Sequence, residues 1–190
     1  MKRVFVFDES KCCACSACMI GCMDQNDVDP AAGDPCFRRT FDEELDVEGG
    51  QVYCAYLSAA CMHCDDAPCI AACPVGCLKK DPETGFTIYD NTNCIGCKSC
   101  ALACPFGAPR YRPSDGKMVK CDGCNTRVKC GLQPACVRAC SFGALTCVTE
   151  EEYLAADSGK ACSALLSQYA PKRQFSFAVC TLCPRPWRGA

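Results

Sequence analysis

Cys94-Ile95-Gly96-Cys97-Lys98-Ser99-Cys100-Ala101-Leu102-Ala103-Cys104-Pro105 places three cysteines at every third residue and a fourth one helical turn further on. The same spacing recurs at Cys12, Cys15, Cys18 and Cys22. Two variants follow the theme: Cys61-x2-Cys64-x4-Cys69-x3-Cys73-Pro74 and the stretched Cys121-x2-Cys124-x11-Cys136-x3-Cys140. All four keep the terminal Cys-x3-Cys. Three end in a related phrase, Cys73-Pro74-Val75-Gly76, Cys104-Pro105-Phe106-Gly107 and Cys140-Ser141-Phe142-Gly143, so the chain carries an internal repeat. The glycine reads as a positive-φ turn after each cysteine knuckle.

The tripled spacing is that of bacterial ferredoxins, which bind [4Fe–4S] clusters. Three close cysteines wrap a loop around one face of a cubane, and the fourth points to the other cluster of a pair. Zinc is the main competing chemistry, but a four-cysteine zinc site joins two CxxC pairs and has no use for a third cysteine in register. The second and third motifs are sequence neighbours and pair simply: Cys61, Cys64 and Cys69 with Cys104, and Cys94, Cys97 and Cys100 with Cys73. The first and fourth then pair: Cys12, Cys15 and Cys18 with Cys140, and Cys121, Cys124 and Cys136 with Cys22. The expected fold is α+β: two ferredoxin-like 2[4Fe–4S] units, one inserted into the other, with short strands, short helices and much loop. Residues 1–53 and 112–150 form the first unit and 54–111 the second. Residues 151–190 form a C-terminal tail suited to subunit contact.

Composition agrees with a fold held by metal. The chain has 190 residues and 25 cysteines, with 49% hydrophobic residues when cysteine is counted among them. Conventional apolar packing is thin for this length. An odd cysteine count and a polar start after Val4 to Phe7 speak against a secreted disulfide framework. The net charge of −2 argues against nucleic acid as the main partner. Acids concentrate at 24–48 and bases at 110–138; these read as solvated faces. Val4 to Phe7 reads as a strand, and Cys77-Leu78-Lys79 with Phe86-Thr87-Ile88-Tyr89 as a hairpin about a turn at 81–85. Ser99 to Cys104 reads as a short helix, and Pro109 to Tyr111 and Lys117 to Lys120 as short extended pieces. Residues 24–50 read as a polar, acidic connection that is hard to fold alone, and Glu150 to about Leu166 as a helix.

The chain resembles the four-cluster iron–sulfur subunits of the dimethyl sulfoxide reductase family. Besides the ligand runs, the resemblance rests on Cys22-Met23-Asp24-Gln25-Asn26, Cys61-Met62-His63-Cys64, Cys104-Pro105-Phe106-Gly107-Ala108-Pro109-Arg110-Tyr111, Lys120-Cys121-Asp122-Gly123-Cys124 with Arg127, and Pro134-Ala135-Cys136-Val137-Arg138-Ala139-Cys140. It covers about residues 3–150. The resemblance implies an electron-transfer subunit, not an enzyme by itself. Its partners would be a large molybdopterin or tungstopterin catalytic subunit and a quinone-linked membrane subunit or soluble carrier, as in anaerobic respiration. The alternative keeps the relay and changes the partner to a hydrogenase or cytosolic formate dehydrogenase complex. The family's cluster pairing agrees with the one reached from spacing. Departures are Ser141 in place of the usual Pro, Cys77 in place of Ala, and Cys13 inside the first loop; none removes a ligand.

Nine cysteines fall outside the motifs: Cys13, Cys36, Cys54, Cys77, Cys130, Cys147, Cys162, Cys180 and Cys183. Most read as small buried hydrophobes. Cys180-x2-Cys183 with Cys162 has the spacing for an additional zinc or cluster. His63, the only histidine, reads as packing or hydrogen bonding beside the ligands, because the ligand count is already full. Lys98, Arg110, Arg127 and Arg138 lie close to ligands, where positive charge raises a cluster's potential. Trp187, between Arg185 and Arg188, suits a subunit interface. No leader or membrane span is read in the chain, so cytoplasmic residence or export with a partner both fit.

Overall fold

The computed structural model describes residues 1–47, 51–155 and 177–180. A three-stranded sheet has β1 (Arg3–Asp8) at its centre. β8 (Leu145–Thr149) pairs antiparallel with it, Phe5 opposite Cys147, and β9 (Phe177–Cys180) pairs parallel on the other edge. The first strand of the described fold is thus closed by residues from its end. Val4, Phe5 and Phe7 are buried, and Phe5 and Phe7 join one core with Leu78, Phe86, Met118, Leu145 and the motif cysteines Cys18, Cys22, Cys64, Cys69, Cys100 and Cys136, while Cys61 and Cys121 pack in a second cluster with Ala60.

The rest is short. Hairpin β2–β3 (Arg39–Val47 with Gln51–Ala59) is the longest ladder. Hairpins β4–β5 (Leu78–Lys80 with Thr87–Tyr89) and β6–β7 (Arg110–Arg112 with Lys117–Val119) have three residues a side. Both small hairpins lie where strand and turn residues predict them. The helices are α1 (Ala17–Gln25), α2 (Pro68–Ala71), α3 (Ser99–Ala103), α4 (Asn125–Lys129), α5 (Ala135–Arg138) and α6 (Glu150–Ala155). α6 covers the start of the helix expected at 150–166; the remainder lies outside the described residues. The acidic connection expected at 24–50 is corrected in its second half, which is strand β2. Asp42, Glu43 and Glu44 point to solvent there, so the ladder with β3 forms it without a buried apolar face.

Two helix pairs organise the interior. α1 of the first motif packs on α5 of the fourth, and α2 of the second packs on α3 of the third. The strands bridge the boundaries drawn from sequence, since β2–β3 spans residue 53 and β6–β7 spans residue 112. Asp81 ties the β4–β5 turn to α4. Its carboxylate accepts from the Glu83 and Thr84 amides and from the Asn125 amide group, and pairs with Lys129 at 2.6 Å. Burial opposes ionisation, but these donors hold its pKa well below the usual carboxylate value.

Gly123 is where the fourth motif closes against the β4–β5 hairpin. Its φ is +77°, and a Cβ there would sit 2.4 Å from the ring of the fully buried Phe86. Gly143 has φ +62° but open space around it. Gly143→Ala therefore costs only left-handed strain, about 1–2 kcal/mol. Gly123→Ala adds a clash with an immovable ring and costs about 3–5 kcal/mol. Anaerobic thermal melts of the two variants should rank them in that order; equal losses would contradict the packing.

Candidate iron–sulfur centres

The cysteine loops share one backbone device. The residue two positions after the first cysteine of each motif is left-handed: Ala14 (φ 52°), His63 (46°), Gly96 (66°) and Gly123 (77°). In the first and third motifs Ser16 and Lys98 are left-handed as well, and α1 and α3 start directly from them with no side-chain cap. These reversals curl the chain so that successive sulfurs and amides face one side. Gly76, Gly107 and Gly143, after the three knuckles, all have positive φ, as the repeat predicts. Amides then donate to sulfur: Ala14 to Cys12 Sγ (3.5 Å), Met118 to Cys94 (3.4 Å) and Gly123 to Cys121 (3.4 Å). Cys77 and Ala108, each four residues beyond a fourth cysteine, donate to Cys73 (3.2 Å) and Cys104 (3.4 Å).

The structure gathers thiols from different motifs. Cys12, Cys15, Cys18 and Cys140 line one pocket with Phe7 and Leu145. Cys22 faces Cys136 and Cys124; burial first, then these thiols, push its pKa up to about 12. Cys121, fully buried, faces Cys22 and Cys61 and is likewise raised. Cys69 faces Cys61, Cys104 and Cys64 and is pushed up to about 11, again mainly by burial. Cys100 faces Cys73 and Cys94. Cys97 is exposed, and Ser99 donates to its sulfur, which lowers its pKa. Protons on the buried thiols must leave when metal binds, so assembly releases protons. Among the described residues no three His, Cys, Asp or Glu side chains are set to hold a single metal ion.

Three buried nitrogen-bearing side chains stand among these sulfurs. Arg38 (1% exposed) lies 5.8 Å over the Phe5 ring and faces Cys136, Cys121, Cys18 and Cys22. Burial alone would lower its pKa, and those thiols more than reverse the effect. Lys120 (0% exposed) donates to the carbonyls of Thr87 and Cys121 and faces Cys69. Among the described residues neither cation pairs with a carboxylate. Unpaired buried cations are costly, and negatively charged iron–thiolate clusters are the counter-charge this interior fits. His63 completes the set. Its Nδ1 accepts from the Thr87 amide (3.1 Å), so the proton sits on Nε2, 3.8 Å from Cys121 Sγ. Its ring forms a triangle with Phe5 and Phe86, stacked on the first at 6.0 Å and tilted against the second at 4.7 Å, while the two phenylalanines touch each other. Burial, then Lys120, Lys80 and Arg38, hold its pKa well below the usual imidazole value.

Of the nine cysteines outside the motifs, Cys77 and Cys147 are buried as expected, while Cys13 and Cys130 are exposed and depart from that reading. Their loop and helix-end positions leave them at the surface. Cys77 adds a fifth thiol beside Cys73 and Cys94. Cys162, Cys183 and Trp187 lie outside the described residues, and the backbone of Cys180 ends β9 opposite Asp8. Arg38 and Lys120 were not separable from surface cations in the sequence: Arg38 sits in the most acidic stretch of the chain. Lys98 stacks on Tyr111 at 4.4 Å, and Arg127 binds the Gln133 carbonyl and Gln25.

A fold of inward-turned cysteine loops with buried cations defines an iron–sulfur protein of ferredoxin type. Residues 52–150 match the 4Fe–4S dicluster domain family, and the chain belongs to that family. It is 42% identical over 148 residues, 74% of this chain and 70% of the relative, to the probable anaerobic dimethyl sulfoxide reductase chain YnfG of Escherichia coli strain K12. It is 33% identical to the hydrogenase-2 operon protein HybA of Escherichia coli O157:H7 over 79% of this chain and 52% of the relative. The nitrate-inducible formate dehydrogenase iron–sulfur subunit of Escherichia coli strain K12 is 32% identical over 78% of this chain and 55% of the relative.

A neutral His63 sets the pH behaviour of the site. The stability it confers is complete above the ordinary imidazole pKa near 6.5; it declines as pH falls below that value, because the unfolded chain then takes up a proton the folded chain refuses. Thermal melts of His63→Gln should therefore lose less stability between pH 7 and pH 5 than the wild type does; equal losses would contradict a histidine held neutral by burial.

Proposed function

We propose that this chain is the electron-transfer subunit of an oxidoreductase complex. It holds four [4Fe–4S] clusters that relay single electrons between a molybdopterin or tungstopterin catalytic subunit and a quinone-linked membrane subunit or soluble carrier. The observation that carries the proposal is the pocket that cysteines of the first and fourth motifs line together, and the proposal sorts the motif cysteines into four mixed-motif groups. Group one is Cys12, Cys15, Cys18 and Cys140; group two is Cys121, Cys124, Cys136 and Cys22; group three is Cys61, Cys64, Cys69 and Cys104; group four is Cys94, Cys97, Cys100 and Cys73. The shared cavity of Cys12 and Cys140 supports this, as do the approaches of Cys22 to Cys136 and of Cys69 to Cys104. When bound, the clusters supply the one-electron chemistry.

The chain's own residues hold the sulfurs, aim amides at them and bury them from water. Cys121 of group two faces Cys61 of group three, and the two pack together with Ala60. Cys15 of group one and Cys97 of group four are exposed. This supports an order of one, two, three, four, with the outer groups open to partners. The helix contacts also support a nested pairing of motifs, the first with the fourth around the second with the third, since α1 meets α5 and α2 meets α3. The tail at 151–190 is proposed as partner contact. The higher identity of the reductase relative, and the larger share of that relative's own length that is matched, favour a reductase-type catalytic partner. Among the described residues no helix is long and apolar enough to cross a membrane.

Anaerobically purified protein should contain about 16 iron atoms per chain and as much acid-labile sulfide. Cys12→Ser and Cys140→Ser should disturb the same paramagnetic signal, and Cys22→Ser and Cys124→Ser a second one. Stoichiometric zinc with little iron would overturn the relay. Signals shared by Cys12→Ser and Cys22→Ser, with Cys140→Ser acting elsewhere, would overturn the grouping.

A further inference from the structure

Arg38 carries more than packing. Its Nη1 donates both to the Ser58 carbonyl (3.1 Å) and to Ser58 Oγ (3.0 Å), while its Nε has no hydrogen-bond partner. Ser58 is itself 1% exposed, and its Oγ lies 3.3 Å from Cys18 Sγ. A hydroxyl that accepts from a guanidinium has its own proton left to give. The hydroxyl oxygen is thereby pinned on the Arg38 side, and its proton is free to turn onto Cys18 Sγ, which as a metal-bound thiolate can only accept. The same guanidinium faces Cys22, Cys121 and Cys136. One fixed cation, anchored through one serine, thus stands between ligands of group one and ligands of group two.

Resting on the cluster reading above, we propose that Arg38 is a positioning residue shared by groups one and two. It aims the Ser58 hydroxyl at Cys18 and sets one buried positive charge against both groups, raising the potential of each. Reduction adds negative charge to a cluster. A nearby cation and a hydrogen bond to a ligand sulfur both favour the reduced form. Because Arg38 is buried, dissolved salt screens this charge weakly. The two contributions are separable: the hydrogen bond through Ser58 reaches group one alone, and the charge reaches both.

The test is an anaerobic redox titration of the complete, iron-loaded chain, followed by electron paramagnetic resonance, with iron measured in every sample. Arg38→Gln should lower two of the four midpoint potentials, each by at least a tenfold change in the reduction equilibrium, which is 59 mV for one electron. Ser58→Ala should lower one of those two and leave the other. Arg38→Lys keeps the charge but not the paired donation to Ser58, so it should lower the same single potential as Ser58→Ala and restore the second. The proposal is overturned if Arg38→Gln moves none of the potentials or all four alike, or if Ser58→Ala moves one that Arg38→Gln does not. If Arg38→Gln loses iron, Ser58→Ala and Arg38→Lys decide: a shared single shift supports the proposal and unmoved potentials reject it. Full iron with unmoved potentials rejects only the role of Arg38, whereas wild-type protein without iron rejects the cluster reading itself.

Discussion

Sulfur turned into a protein interior has to meet positive charge and hydrogen-bond donors, and this requirement organises the molecule. Left-handed residues at Ala14, His63, Gly96 and Gly123 bend each loop so that its sulfurs and amides face one way. The bent loops cannot fill the interior with aliphatic side chains. Cysteines occupy much of it instead, and Arg38 and Lys120 are buried among them without carboxylate partners in the described structure. In an ordinary core two such cations would be destabilising. Beside negatively charged clusters they become the compensation that makes the burial tolerable.

The same requirement accounts for the long-range connections. A cysteine one helical turn beyond its loop faces away from that loop's own centre, so the helix bearing it must lie against another motif. α1 on α5 and α2 on α3 are the result. β1, pairing with β8 from residues 145–149, fastens the start of the chain to the fourth motif. The cluster of Phe5, His63 and Phe86 rings joins the first strand, the second motif and the β4–β5 hairpin around Gly123 of the fourth. Folding and metal binding are then one process, since the sulfurs that order the loops come from distant parts of the sequence.

The parts legible in the sequence were those governed by local spacing. The knuckle glycines, the helix after Lys98 and the hairpin about Asp81 to Gly85 depend on residues within a dozen positions, so their patterns are visible without a partner. β2 was not legible because Asp42, Glu43 and Glu44 face solvent and the strand owes its existence to β3. Arg38 was hidden for a related reason. No local pattern separates a guanidinium that lies over Phe5 beside four thiols from one that lies in water, and its acidic neighbours in sequence point outward. Cys13 and Cys130 show the converse: cysteine is usually buried, but a loop tip and a helix end keep these two exposed.

Amide hydrogen exchange on the complete chain, before and after iron is removed by a chelator under reducing, anaerobic conditions, addresses the dependence of the fold on its sulfur-bound metal. Protection of β1, β8 and the four motif helices should vanish with the iron and return on reconstitution with iron and sulfide. Protection that survives in the iron-free, reduced chain would show that apolar packing alone sustains the fold, and would contradict a structure built around its clusters.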